Sequence, residues 1–112
     1  MTILEYVKTK VDIEHEDGDN TFDNRLLIDI ESALAELQQL TDIKSQDGIT
    51  ASTTFEDILV LSDQGLLMLC KTFVGICVRL SFDPPSGSVL NSLEKSKDVI
   101  ASRITIQTER GS

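Results

Sequence analysis

A chain of 112 residues with 40% hydrophobic residues and few aromatics (four Phe, one Tyr, no Trp) has room for one modest core, filled by aliphatic packing or finished against copies of itself. Ten basic against nineteen acidic residues leave a net charge of −9, which excludes a surface built to wrap nucleic acid phosphates. A pore through which DNA slides stays open, because repulsive walls prevent sticking.

Residues 2–11 carry Ile3, Leu4, Val7 and Val11 at the spacing of a short amphipathic helix that Thr2 can cap. This stretch has no long apolar core, so no signal peptide is expected and the chain reads as soluble and made in the cytoplasm. The acid-rich segment 12–20 (DIEHEDGDN) invites a calcium-loop reading. With Gly18 as the turn glycine, the first, third and twelfth loop positions fall on Ile13, His15 and Asn24. Oxygen ligands are needed at the first two and a glutamate at the last. The spacing fails, and a solvated acidic turn is the better reading.

A second helix opens at Asn20, Thr21 or Asp23 and runs to about Leu40, with Leu26, Leu27, Ile30, Ala33, Leu34, Leu37 and Leu40 as its apolar stripe. Ala33 and Ala35 allow close approach of a neighbour. Residues 41–54 read as a loop around Asp47-Gly48, serving as a plain connector or a contact. Thr53 or Thr54 then starts a short segment with Phe55, Ile58, Leu59 and Leu61 on its apolar side.

Residues 62–82 form the central helix, capped by Ser62 with Asp63 at the positive end of its dipole. Leu66, Leu69, Cys70, Phe73, Val74, Cys77, Val78 and Leu80 give a broad apolar face. Leu67, Met68 and Ile76 widen it, so this helix should touch neighbours on more than one side. Lys71 and Arg79 fall inside it and argue against a membrane span, since each charge costs about 2.5–3.5 kcal/mol at mid-bilayer. Asp83-Pro84-Pro85 ends the helix. Ser86 or Ser88 caps a last helix over roughly residues 88–102, with Val89, Leu90, Leu93, Ile100 and Ile104 as its apolar set and Lys95, Lys97 and Arg103 facing water. Residues 104–112, where Ile104 and Ile106 alternate with polar neighbours, read as an extended tail beyond a 1–103 helical domain. The fold class is therefore all-α: a small bundle of about four helices with a long central helix and an extended C-terminal tail.

No catalytic constellation, cofactor motif or metal-ligand spacing emerges, and the chain does not read as an enzyme. His15 is the sole histidine and sits in the acidic turn; Gly-x-Ser-x-Gly and Gly-rich phosphate loops are absent. Cys70 and Cys77 lie seven apart on the apolar face, about 10 Å along one helix, and read as small buried hydrophobes rather than a disulfide.

The element order, AELQQL closing the second helix, the long apolar helix running into RLSFDPP (residues 79–85) and the following SGSVLNSLEK together resemble the head–tail connector, or adaptor, proteins of long-tailed bacteriophages. The likeness covers nearly the whole chain, with residues 79–93 its motif-like part; it departs from the family pattern in having no aromatic residue over 98–110. The resemblance implies a structural virion protein of the neck, in a ring of about a dozen copies below the portal, joined to the next neck or tail-completion protein. DNA would pass through the channel without specific binding, and no cofactor, membrane or catalysis is implied. Candidate interface residues are Lys71 and Arg79, as partners for a neighbour's carboxylates, and Asp83, Pro84 and Pro85, as the corner that orients the last helix. The rival reading is a small acidic helical protein-binding module, monomeric or dimeric.

Overall fold

The computed structural model describes residues 1–11, 22–41, 49–59, 63–82 and 84–110. Five helices follow in order: α1 (Ile3–Lys10), α2 (Asp23–Gln38), α3 (Phe55–Ile58), α4 (Gln64–Phe82) and α5 (Gly87–Arg110). There is no strand among the described residues, only an isolated bridge between Thr2 and Thr54. The all-α expectation holds.

Local chemistry sets the helix starts. Thr2 Oγ1 accepts from the Glu5 amide at 3.1 Å while Glu5 Oε1 accepts from the Thr2 amide at 2.8 Å, a reciprocal capping box. Thr54 and Asp57 repeat the device at α3, at 3.2 and 2.9 Å. At α4 the acceptor is Asp63, whose Oδ1 takes the Gly65 and Leu66 amides at 2.9 and 3.2 Å; Ser62, the expected cap, lies outside the described residues. No side-chain cap opens α2. Its first residue Asp23 instead pairs with Lys8 at 2.7 Å, tying α2 to α1.

α4 is the pillar, packed by α1, α2 and α5. Its Leu66, Cys70, Phe73, Val74, Cys77 and Val78 are buried with Leu26, Ile30, Leu34 and Leu37 of α2 and Ile3, Leu4 and Val7 of α1. Each such aliphatic side chain contributes about 1.5–3 kcal/mol on burial. The expected wide apolar surface is realised in part: Leu67 is buried and Ile76 half-buried, while Met68 is exposed. α4 is long and apolar enough to cross a bilayer by length and composition, but half of that window is buried against the other helices. The second-helix stripe holds throughout, with Ala33 inside and Ala35 on the surface.

α4 and α5 form an antiparallel hairpin. Gly87, at φ 65°, turns the chain into α5, a backbone that only glycine adopts without penalty. The far ends meet where Gln107 Nε2 donates to Asp63 Oδ2 at 2.8 Å.

Two expectations are corrected here. The extended tail expected from Ile104 onward is helical through Arg110, because Ile104 is fully buried and holds the last turns of α5 against the core. Ile106 is exposed, so the two isoleucines sit on different helix faces rather than alternating along a strand. Lys97 faces water only in part. Its Nζ donates to Glu36 Oε1 at 3.2 Å and lies 6.0 Å from the centre of the Phe73 ring.

The chain measures 42 × 34 × 20 Å, a flat slab.

Candidate functional site

Two cations project from α4, Lys71 and Arg79. Lys71 lies 4.0 Å from Glu56 of α3, with its Nζ 5.5 Å from the centre of the Phe55 ring. The Phe55 ring meets Tyr6 of α1 edge-on at 5.3 Å. Tyr6 carries Lys10 above its face at 5.2 Å. Arg79 stands two turns beyond Lys71, about 12 Å along the axis. Lys71 already has a partner within its own chain.

Arg79 is different. Its Nε is buried and has no hydrogen-bond partner. The side chain lines a cleft of about 170 Å³ with Tyr6, Lys10, Thr72, Gly75, Ile76 and Leu93, where α1, α4 and α5 meet. Gly75 makes that meeting possible: a β-carbon there would sit 3.3 Å from Lys10 Cγ and 3.4 Å from Tyr6 Cε1. Burial pushes the Tyr6 hydroxyl up from its ordinary pKa, with Thr72 pulling the other way. Sequence reading missed Lys10, Tyr6 and Thr72, and the one signal for them was a glycine inside the apolar face of a long helix.

The α4–α5 corner is the third feature. Pro84 is exposed and Pro85 half-buried; Asp83 lies outside the described residues, as do His15 and the acidic stretch 12–20.

On the outer side of α5, Val89, Ser92, Ser96, Val99, Arg103 and Ile106 recur at alternating three- and four-residue steps, and all six are exposed. That is the geometry of a helix-pairing seam. Nothing in the described chain covers it.

The thiols take no part in surface chemistry. Burial pushes Cys70 up to about 11 and Cys77 up to about 12. Lys97 pulls Cys77 back, while Glu36, whose Oε2 accepts from Cys77 Sγ at 3.3 Å, adds to the rise. Among the described residues no group of His, Cys, Asp and Glu could hold a metal ion.

Comparison with known proteins adds one finding. The family model described as phage connector protein matches residues 3–111. No curated protein and no solved structure matches the chain.

Proposed function

The chain belongs to the phage connector protein family, and from that membership we propose that it is the head–tail connector of a long-tailed phage particle. About a dozen copies form a ring in the neck, below the portal, and lengthen the DNA channel towards the tail. The portal contacts one rim of the ring and the next neck or tail-completion protein the other. The protein is made in the host cytoplasm and acts structurally, with no reaction of its own.

The observation that carries this reading is the family match over nearly the whole chain. Its physics is compatible. A flat slab with unlike surfaces, the α4 cations beside α1 and the α5 seam, suits head-to-tail contacts, which close into rings when the rotation allows. Within the ring, Lys71 and Arg79 would meet carboxylates of the adjacent copy, and the corner at Asp83, Pro84 and Pro85 would set how α5 meets the next protein. The charge of −9 would keep DNA from adhering to the lumen as it passes.

The test is the native mass of the purified protein over a concentration series, with and without a portal ring. A discrete high oligomer, or recruitment of many copies to the portal, is expected. A monomer or dimer that ignores the portal at every concentration would overturn the connector reading in favour of a small acidic binding module.

A further inference from the structure

Lys10, exposed, and Arg79, half-exposed, flank a cleft in which no described residue supplies an anion. Three ion pairs are made elsewhere among the described residues, by Lys8, Lys71 and Lys97. Among the described residues neither Lys10 nor Arg79 has a carboxylate partner, although the chain holds nine more acidic than basic residues. The buried Arg79 Nε has no hydrogen-bond partner, which costs about 1–3 kcal/mol, more when charged, while the side chain as a whole is half-exposed and open to a partner supplied from outside. The walls supply the remaining chemistry: the Tyr6 ring, the Thr72 side chain, and Ile76 and Leu93 as an apolar lining. At about 170 Å³ the cleft falls below the roughly 300–1,000 Å³ of small-molecule sites and matches a single side chain.

We infer that this cleft is a carboxylate receptor, and that its occupant is an aspartate or glutamate of an adjacent copy of the same chain. This deepens the connector reading and rests on it. Charge complementarity selects the occupant: every copy carries the same open cationic cleft and the same acidic surplus, so identical chains attract at this point while their net charges repel elsewhere. Arg79 binds the carboxylate through its planar fork, Lys10 adds a second charge from the far wall, and the apolar lining removes water and strengthens both. A polyanion such as DNA meets the repulsion of the whole chain before it reaches the two cations at the meeting of α1, α4 and α5.

The experiment has two parts. Wild type, Lys10→Gln, Arg79→Gln and the double variant are compared by native mass over a concentration series, with portal present and absent. The double variant is expected to need about tenfold more protein, or worse, to assemble, with helical circular dichroism unchanged. Arg79→Lys should retain part of the assembly, which a purely structural role in packing would not produce; it also serves where the glutamine variant fails to fold. In the second part, isotopically light and heavy wild-type copies are mixed, assembled and treated with a carbodiimide, which joins an amine to a carboxylate in contact. Mixed-isotope products linking Lys10 to an acidic residue are expected, and they name that residue. Should wild type assemble and the double variant assemble equally, the cleft inference falls and the connector reading stands. Should wild type never assemble, both fall. Lys10 links confined to single copies, or variants that lose binding to duplex DNA while assembling normally, would also overturn it.

Discussion

Gln107 and Asp63, forty-four positions apart, are joined by a 2.8 Å hydrogen bond that closes the open end of the α4–α5 hairpin. Asp63 also caps α4 through its other oxygen. The Gln107 side chain and the Leu66 and Gly65 amides together hold its carboxyl below the usual aspartate value. A carboxyl depressed on folding contributes stability above its unfolded pKa and loses it as pH falls through the folded one. Asp63→Asn keeps a capping oxygen but not the charge. Its melting temperature should lie below wild type near neutrality, and the gap should close as pH falls from about 5 to about 2. A pH-independent gap would mean the charge is idle.

Asp29 should behave with the opposite sign. Burial raises its carboxyl above the ordinary value, Arg25 opposing, and its Oδ2 is buried without a hydrogen-bond partner. A group raised on folding adds stability when protonated and loses it as pH rises past the folded pKa. Asp29→Asn should therefore melt higher than wild type at neutral pH, with the advantage vanishing in acid. Thermal melts across the same pH series check this, and a lower melting temperature at neutrality would refute it.

Ile104 is the anchor of the last turns of α5. Ile104→Val should cost about 0.5–1.5 kcal/mol and Ile104→Ala about 2–5 kcal/mol in urea unfolding. Ile106→Ala, two residues on but exposed, should leave the same curve within about 0.5 kcal/mol.

Lys97 and Glu36 link α5 to α2 at a partly exposed site, with side chains 28% and 51% accessible. A double-mutant cycle to alanine should give a coupling of about 0.2–1 kcal/mol that shrinks with added salt. Lys97→Glu should destabilise more than Lys97→Ala, because it sets two carboxylates together beside Cys77.

Both thiols should resist alkylation by iodoacetamide in the folded protein at about pH 8, where values near 11 and 12 leave about one thiolate in a thousand or fewer. Labelling should appear only when urea unfolds the chain. Fast labelling of the native protein would show that the core opens around Cys70 and Cys77.

The sequence disclosed whatever is governed by neighbours in the chain. Thr2 with Glu5 three places on, and Thr54 in the same relation to Asp57, are local capping patterns, and the α2 and α4 stripes need only a helical period. The end of α5 was hidden because Ile104, Thr105, Ile106 and Thr108 are β-branched and favour strands when judged alone. Burial of Ile104 outweighs that preference, and Thr105 fits the helix by donating its hydroxyl to the Ala101 carbonyl at 3.1 Å. Lys97 was read as solvated because its partner Glu36 is sixty-one positions away. The cleft was legible only in half: Arg79 stands out within an apolar helix, but Lys10 reaches it only because α1 crosses α4 at Gly75.

The burial of α4 is completed by an element that follows it in the chain. Until α5 folds back onto it, each new copy presents a 19-residue helix of mean hydropathy 1.7 with one flank bare. Such a segment resembles cargo for the membrane-insertion machinery and for holding chaperones. The yield of assembly-ready subunits should thus depend on how quickly α5 folds back across α4 at the Pro84-Pro85 corner.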